Sequence, residues 1–364
     1  MTALAVGACS GSNGPSPSTQ GSSATPGTPS SSSPAPAAPE TLDELARYQG
    51  ADRQEILEAC AREEGELVWV SELAGGVITA MKEAFVGKYP YIAVSEARAN
   101  GSDFVPRMTE ERQAGRFTVD AFEMSSDTQT LLKEIDIHQP YWSPEIANYG
   151  DDDIDPANDG LVLQVVDRLS FAGFGYNTTL LDESDVPETY ADLLDPALAG
   201  KLVMSGDGST GAQLFAILIE TQGDDFPERL GTQRYSIQQV SGRGIVDLMS
   251  AGEIAASPTT FRNHVLTDAA NGAPVAWVGL SPVSTNAGGA SIAKEAPHPC
   301  AALLFTDFIL GAAGREVFDQ FYYGDPAEDY EFDLSYPGAG MTAQEYDTLI
   351  RESDAAMREH ASGG

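Results

Sequence analysis

Between Gln54 and Glu63 the apolar residues recur three and four apart, so that Ile56, Leu57, Cys60 and Ala61 share one stripe. That is the period of an amphipathic helix, and the pattern predicts helices near 41–48 and 51–63. Glu66-Leu67-Val68-Trp69-Val70-Ser71 is a short apolar run and reads as a buried strand. Gly75-Gly76 turns the chain into a helix over 76–88, with Val77, Met81, Ala84 and Phe85 on one face, and Tyr89-Pro90 ends it. Ile92 to Arg98 reads as a second strand, 102–114 as a second helix, Thr118 to Met124 as a third strand and 126–134 as a third helix. This alternation predicts a parallel sheet with crossover helices. In such sheets ligands lie beyond the carboxyl ends of the strands.

The pattern repeats further on. Residues 161–176 are strand-like, Lys201 to Met204 is a strand, and 209–221 and 242–251 are helical. Ile254 to Ala256 reads as a short strand, 259–271 as a helix and Val275 to Gly279 as a strand. Helices near 299–310, 313–321 and 342–360 close the chain, and no fixed-period repeat is seen. Some 325 residues follow the uncharged start, more than one ordinary core accommodates, so two lobes are expected.

Composition sharpens the two ends of this picture. The chain has 364 residues, 20 Lys plus Arg against 55 Asp plus Glu, and a formal charge of −35. That sign excludes non-specific nucleic-acid binding, which needs clustered cations, and docking on anionic lipid through a basic patch. Abundant acids with few lysines point to a high-salt setting, where self-repulsion is screened. None of the charges falls in the first 39 residues. Val6-Gly7-Ala8-Cys9 resembles the lipobox of bacterial lipoproteins. Without a charged leader, residues 1–9 read as the end of a truncated signal with the true start upstream. Residues 10–40 are largely Ser, Pro, Gly, Thr and Ala and read as a disordered tether behind a lipidated Cys9. No later run approaches the ~20 apolar residues of a membrane span.

Catalytic and metal signatures are missing from the folded part. G-x-S-x-G, G-x-x-x-x-G-K-[ST] and H-E-x-x-H do not occur there, and no Cys/His cluster has metal-ligand spacing. No cofactor is expected, and a hydrolase is a remote alternative. Residues 149–160 open like a calcium loop, but Pro156 stands where Gly is needed and Val162 where Glu is needed, so a solvated acidic loop is expected. Cys60 and Cys300 lie 240 residues apart. A disulfide is open to an exported protein, but two separate buried thiols are the expectation.

From about residue 64 to 324 the order of motifs resembles the family 1 extracellular solute-binding proteins of ABC importers, in particular their ferric-type group. Glu64-Gly65-Glu66-Leu67-Val68 opens the first strand, and Ala84-Phe85 with Lys88-Tyr89-Pro90 closes the first helix. Gly175-Tyr176-Asn177-Thr178 matches the first crossing between lobes. Pro187-Glu188-Thr189-Tyr190, Asp192 to Pro196, Gly200-Lys201-Leu202, Ala251-Gly252-Glu253 and Gly272-Ala273-Pro274-Val275 follow in order. Ala296-Pro297-His298-Pro299 leads into Ala301-Ala302 and Phe305 to Phe308. The resemblance implies an α/β, two-lobed periplasmic-binding-protein-like fold (type II). Lobe 1 comprises 41–172 and 285–364, lobe 2 comprises 173–284, and the ligand binds between them. It implies a monomer, lipid-anchored outside the cytoplasm, whose partners are a small-molecule ligand and ABC permease and ATPase subunits.

Ferric members of this group carry adjacent tyrosines shortly after the "GE" motif of the second lobe. Here that stretch reads Ser257-Pro258-Thr259-Thr260-Phe261-Arg262-Asn263-His264. Phe261 has no phenolate to offer Fe(III), and Tyr322-Tyr323 reads as packing. Arg262 instead presents a planar fork suited to carboxylate or phosphate. Ser209 and Thr210 start a helix behind Asp207-Gly208, where free N–H groups favour an anion. Ser71 with Glu72, and Ser125 with Ser126, stand at strand carboxyl ends. The expected ligand is therefore a small anion, such as an organophosphate, phosphonate or carboxylate, held by Arg262, Ser209 and Thr210 from one lobe and Ser71, Ser125 and Ser126 from the other. Glu72 keeps open an amine, polyamine or thiamine-like cation, and ferric iron remains an alternative. His298 reads as structural.

Overall fold

The computed structural model describes residue 39 and residues 41–362. Cys9 and the tether expected over 10–40, Pro39 apart, lie outside the described residues. Helices α1 (Leu42–Arg47) and α2 (Arg53–Glu64) precede β1 (Glu66–Ser71), α3 (Gly75–Lys88), β2 (Ala93–Arg98), α4 (Gly101–Gln113), β3 (Ala121–Ser125) and α5 (Ser126–Glu134). A short β4 (Ile154–Pro156) and the long β5 (Val162–Asn177) follow. Next come β6 (Val203–Ser205), α6 (Thr210–Gln222), α7 (Phe226–Gly231), β7 (Ser236–Gln238), α8 (Gly242–Ser250), β8 (Ala256–Phe261), α9 (Arg262–Ala270) and β9 (Val275–Val278). The chain then runs through β10 (Val283–Ile292), α10 (Pro299–Leu310), α11 (Ala312–Gln320), β11 (Leu334–Ser335) and α12 (Ala343–Glu359).

The first alternation forms the expected parallel unit, β1 pairing with both β2 and β3 in parallel. β10 then pairs antiparallel with β3 on one side and β5 on the other. The sixteen-residue β5 is the spine of the molecule. Its first half pairs with β10, and its second half with β8 and β9. A small parallel sheet, β6 with β7, lies beside β8 through the Leu202–Ala256 bridge.

Two large apolar cores match two lobes. The first centres on Trp69, Phe85, Phe305 and Phe308, with ring centroids 4.8 to 5.3 Å apart. Such pairs add about 0.5–1.5 kcal/mol each beyond their burial. α10 is buried on nearly every face, as befits an apolar helix between layers. Its start is fixed by Glu64, whose carboxylate accepts from the amides of Cys300 (3.1 Å) and Ala301 (2.9 Å). The second core gathers Phe174, Phe215, Leu218, Phe226, Tyr235 and Met357.

Several features depart from the sequence expectation. Cys60 and Cys300 are joined as a disulfide, Cα atoms 5.9 Å apart, tying α2 to α10. They are not separate thiols, because helices remote in sequence pack directly on each other. β8 extends to Phe261, so the helix expected from 259 begins at Arg262. Thr259 and Thr260 are β-branched, and Thr260 finds a ladder partner in Gly173 of β5. Finally, the stretch 285–364 does not stay together on the first core. α12 lies along α6, with Met357 inside the second core and the Tyr235 hydroxyl donating to the Met357 carbonyl at 2.5 Å. Gly211 permits this contact: a Cβ there would come 2.8 Å from the Met357 sulfur and 2.4 Å from the Ser205 carbonyl.

Candidate ligand cleft

The carboxyl ends of β1 and β3 and the starts of α3, α5, α6 and α9 form the region where a ligand is expected. At these four helix starts no capping residue's side chain bonds the first turn, although helix N-termini carry free N–H groups and partial positive charge. Two links bring the lobes together here. Arg98, on β2, donates to the Leu73 carbonyl at 3.2 Å and also acts electrostatically on His264 of α9. Tyr346, on α12, accepts a hydrogen bond from Gln213 at 2.8 Å, bonds Ser209 and feels the charge of Asp127 at the start of α5.

Most of the first-lobe candidates are bound to the protein itself. Ser71 is fully buried; its hydroxyl donates to Glu123 at 2.6 Å and accepts from the Leu73 amide at 3.0 Å. The Glu72 carboxylate accepts from the Gly101 amide at 2.8 Å and the Ser125 amide at 2.6 Å, and from the Thr128 hydroxyl at 3.3 Å. It joins the starts of α4 and α5, a good use of an anion next to two helix dipoles. Ser125 shares its hydroxyl with Thr128 at 3.1 Å. These three residues thus hold the loops behind the cleft. Ser126 is exposed, with its hydroxyl on the Ala287 carbonyl at 3.0 Å.

Beneath them lies a buried ion pair. Arg168 donates to Glu123 through Nε at 3.0 Å and approaches it through Nη2 at 2.9 Å, while its Nη1 donates to Ser170 and Asn286. Gly288 makes room, since a Cβ there would lie 2.3 Å from Glu123 and 2.5 Å from Arg168. Burial pushes the Glu123 carboxyl up, against the opposing pull of Arg168.

Of the second-lobe candidates, Ser209 bonds Tyr346 while Arg262 is open. Ser209 and Thr210 are half-buried at the start of α6. Arg262 is half-buried, its guanidinium 5.9 Å from the Phe171 ring centre, and it makes no hydrogen bond or ion pair with another described residue. The next two residues of α9 continue this theme. Asn263 is buried with Oδ1 unpartnered, and His264 has a buried, unpartnered Nδ1. Burial, then the charge of nearby Arg243, lowers His264 to about 4, so its imidazole is neutral near pH 7. Buried polar groups are nearly always hydrogen-bonded. Asn263 and His264 are thus consecutive residues with unmet polar groups at the start of α9. Asn263, His264, Arg98 and Tyr346 were not among the candidates read from sequence. The run Arg262-Asn263-His264 is the one signal that offered two of them.

This two-lobed arrangement has many solved counterparts. A family profile described as bacterial extracellular solute-binding protein matches residues 122–341. The chain belongs to the bacterial extracellular solute-binding proteins. An uncharacterised Haemophilus influenzae protein is 26% identical over 269 residues, covering 71% of this chain and 76% of that one. The periplasmic binding protein AfuA from Actinobacillus pleuropneumoniae, solved with fructose-6-phosphate, superposes with a TM-score of 0.65 at 21% identity, over 81% of this chain and 99% of its own. Iron-bound HitA from Pseudomonas aeruginosa gives 0.64 at 19%, over 79% and 99%. The substrate-binding protein of an ABC transporter from Agrobacterium tumefaciens gives 0.67 at 17%, over 80% and 94%. As an extracellular solute-binding protein, this chain takes a solute as its ligand in an extracytoplasmic setting. No described helix is long and apolar enough to cross a membrane.

Proposed function

We propose that this solute-binding protein captures a small anion, an organophosphate, phosphonate or carboxylate, and delivers it to its permease as a lipid-anchored monomer without catalysing a reaction. The observation that carries the reading is Arg262, an unpaired guanidinium at the start of α9 in a chain where acids outnumber bases 55 to 20. Elsewhere cations are typically claimed by neighbours, as Arg53 is by Asp307 and Arg243 by Asp247 and Asp268. A guanidinium left free beside a helix N-terminus offers paired donors and a favourable dipole to an oxyanion. Ser209, Thr210 and Ser126 supply hydroxyls, and neutral His264 and Asn263 complete the polar wall. The cation reading loses its main support, because Glu72 is used in joining two helix starts. The ferric reading lacks a phenolate beside Arg262, where Phe261 stands. AfuA and HitA show that one fold carries both a sugar phosphate and iron, so the choice rests on these residues.

In this reading one lobe holds 41–172 with the 285–335 part of the return, and the other holds 173–284 with α12 added. Cys9 is the proposed site of lipidation. The test is calorimetric titration with fructose 6-phosphate, a phosphonate, citrate and Fe(III), on the parent and on Arg262→Ala. Loss of one charged pair of hydrogen bonds predicts an affinity about tenfold lower or worse for the true anion. Tight Fe(III) binding with no anion bound, or an Arg262→Ala variant of unchanged affinity, would overturn the proposal.

A further inference from the structure

On the α11 side of β5 lies a cavity of about 310 Å³. Its floor is Asp167. The ladder between β5 and β10 slips at this residue: Arg168 faces Gly288 and Val166 faces Gly289, which leaves Asp167 as the extra residue of a bulge. Bulges commonly re-aim a side chain. Asp167 is 2% exposed, lines the cavity, and neither carboxylate oxygen meets a hydrogen-bond partner from another residue.

The neighbouring buried charges do not balance. Glu123 and Asp167 are acids, and Arg168 is the adjacent base. Glu123, Ser170 and Asn286 take up the Arg168 donors, so Arg168 acts on Asp167 through its charge alone and gives it no hydrogen bond. Burial, with Glu123 nearby, pushes its carboxyl well up. An unpaired buried acid is costly unless a cation or a proton meets it. The rim repeats the demand: Glu316, Asp319 and Glu328 are exposed at its mouth, and the rim's own cation, Arg315, is engaged by Asp325 at 3.7 Å.

We propose that this cavity is a second ligand site, for a small organic ammonium compound, with Asp167 as its anchor. The walls favour an ammonium over a bare metal ion. Phe318 and Tyr323 line it with ring centroids 5.8 Å apart at 70°, and aromatic faces attract ammonium groups. Among the described residues, no three of its carboxylates come within 4.8 Å of one another, so no chelating cage of the kind calcium needs is in place. The volume suits a molecule of several heavy atoms.

The experiment is titration of the full chain with putrescine, followed by thermal unfolding and calorimetry, with NaCl at matched ionic strength and CaCl2 as separate arms. Putrescine is expected to raise the melting temperature saturably, beyond the NaCl arm. Asp167→Asn, close to isosteric, is expected to bind it about tenfold more weakly or worse. Glu328→Gln, on the exposed rim, is expected to weaken it about two- to fivefold, which keeps the test alive if the buried variant misfolds. Equal stabilisation of parent and both variants would overturn the proposal, as would a putrescine effect no larger than that of NaCl. Stabilisation through Asp167 by CaCl2 but not by putrescine would overturn the ammonium assignment.

Discussion

Replacing Glu72 by alanine distinguishes a structural brace from a ligand contact. In the unliganded protein its carboxylate accepts from two backbone amides, of Gly101 at 2.8 Å and Ser125 at 2.6 Å. A hydrogen bond to a charged group contributes about 1.5–3 kcal/mol net. Both bonds are only partly buried, so water offsets part of the loss and the lower value applies to each. The two helix dipoles add about 0.3–1 kcal/mol apiece. The expected cost is about 3.5–5 kcal/mol, or a fall in Tm of roughly 7–20 °C at a sensitivity of about 2–4 °C per kcal/mol. Glu72→Gln retains an acceptor but brings an amide N–H₂ against one donor, and about half the loss is expected. Far-UV circular dichroism melts without ligand provide the measurement. If Glu72→Ala melts within about 1 °C of the parent yet binds ligand more weakly, the bracing role is refuted and Glu72 becomes a ligand contact.

Other tests address different parts of the molecule. Reducing Cys60–Cys300 opens a closure spanning 240 residues; chain-entropy reasoning sets an upper bound of about 5.5 kcal/mol, and melts with and without a phosphine reductant should show a large drop as two thiols per chain become titratable. Arg168→Met leaves Glu123 buried without its partner and should cost about 3–5 kcal/mol, whereas Arg168→Met combined with Glu123→Leu should recover much of it in denaturant titrations. His138 is lowered to about 4 by burial, below the ~6.5 of an unfolded histidine. Above pH ~6.5 it is neutral in both states and has no effect. As pH falls from 6.5 towards 4 the unfolded chain takes up a proton that the folded one refuses, so stability should drop by up to about 3 kcal/mol and then level off. His138→Gln should flatten this part of a stability–pH curve, and an unchanged slope would count against the assignment.

How much could be read from sequence depended on how local the signal was. β1, α3 and α5 announced themselves through apolar runs and Gly or Pro punctuation, and their limits fall within a residue or so of the expected ones. β10 was missed. Val283-Ser-Thr-Asn-Ala-Gly-Gly-Ala-Ser-Ile292 has little alternation and two adjacent glycines, because strands on both sides bury it and Gly288 must clear Glu123 and Arg168. The disulfide was equally hidden, since two isolated cysteines say nothing about helix packing. Among candidate site residues, Arg262 was readable as a base where a family ligand stands. The employment of Ser71, Glu72 and Ser125 was not, because a residue at a strand end can face the ligand or hold the wall behind it. Hydroxyls and carboxylates serve either purpose, and only their partners in space decide.

β5 and β10 run as a paired antiparallel ribbon through the first-core sheet, and β5 continues unbroken to pair with β8 and β9 of the second. Both strands are held on their outer sides as well, within one nine-stranded sheet, so sliding one along the other breaks rungs on both edges at once. The junction between the lobes is therefore stiff in shear. α12 adds a further strut beyond β11 and packs against α6. Relative movement of the two cores is left to bending of the shared strands rather than to slippage between them.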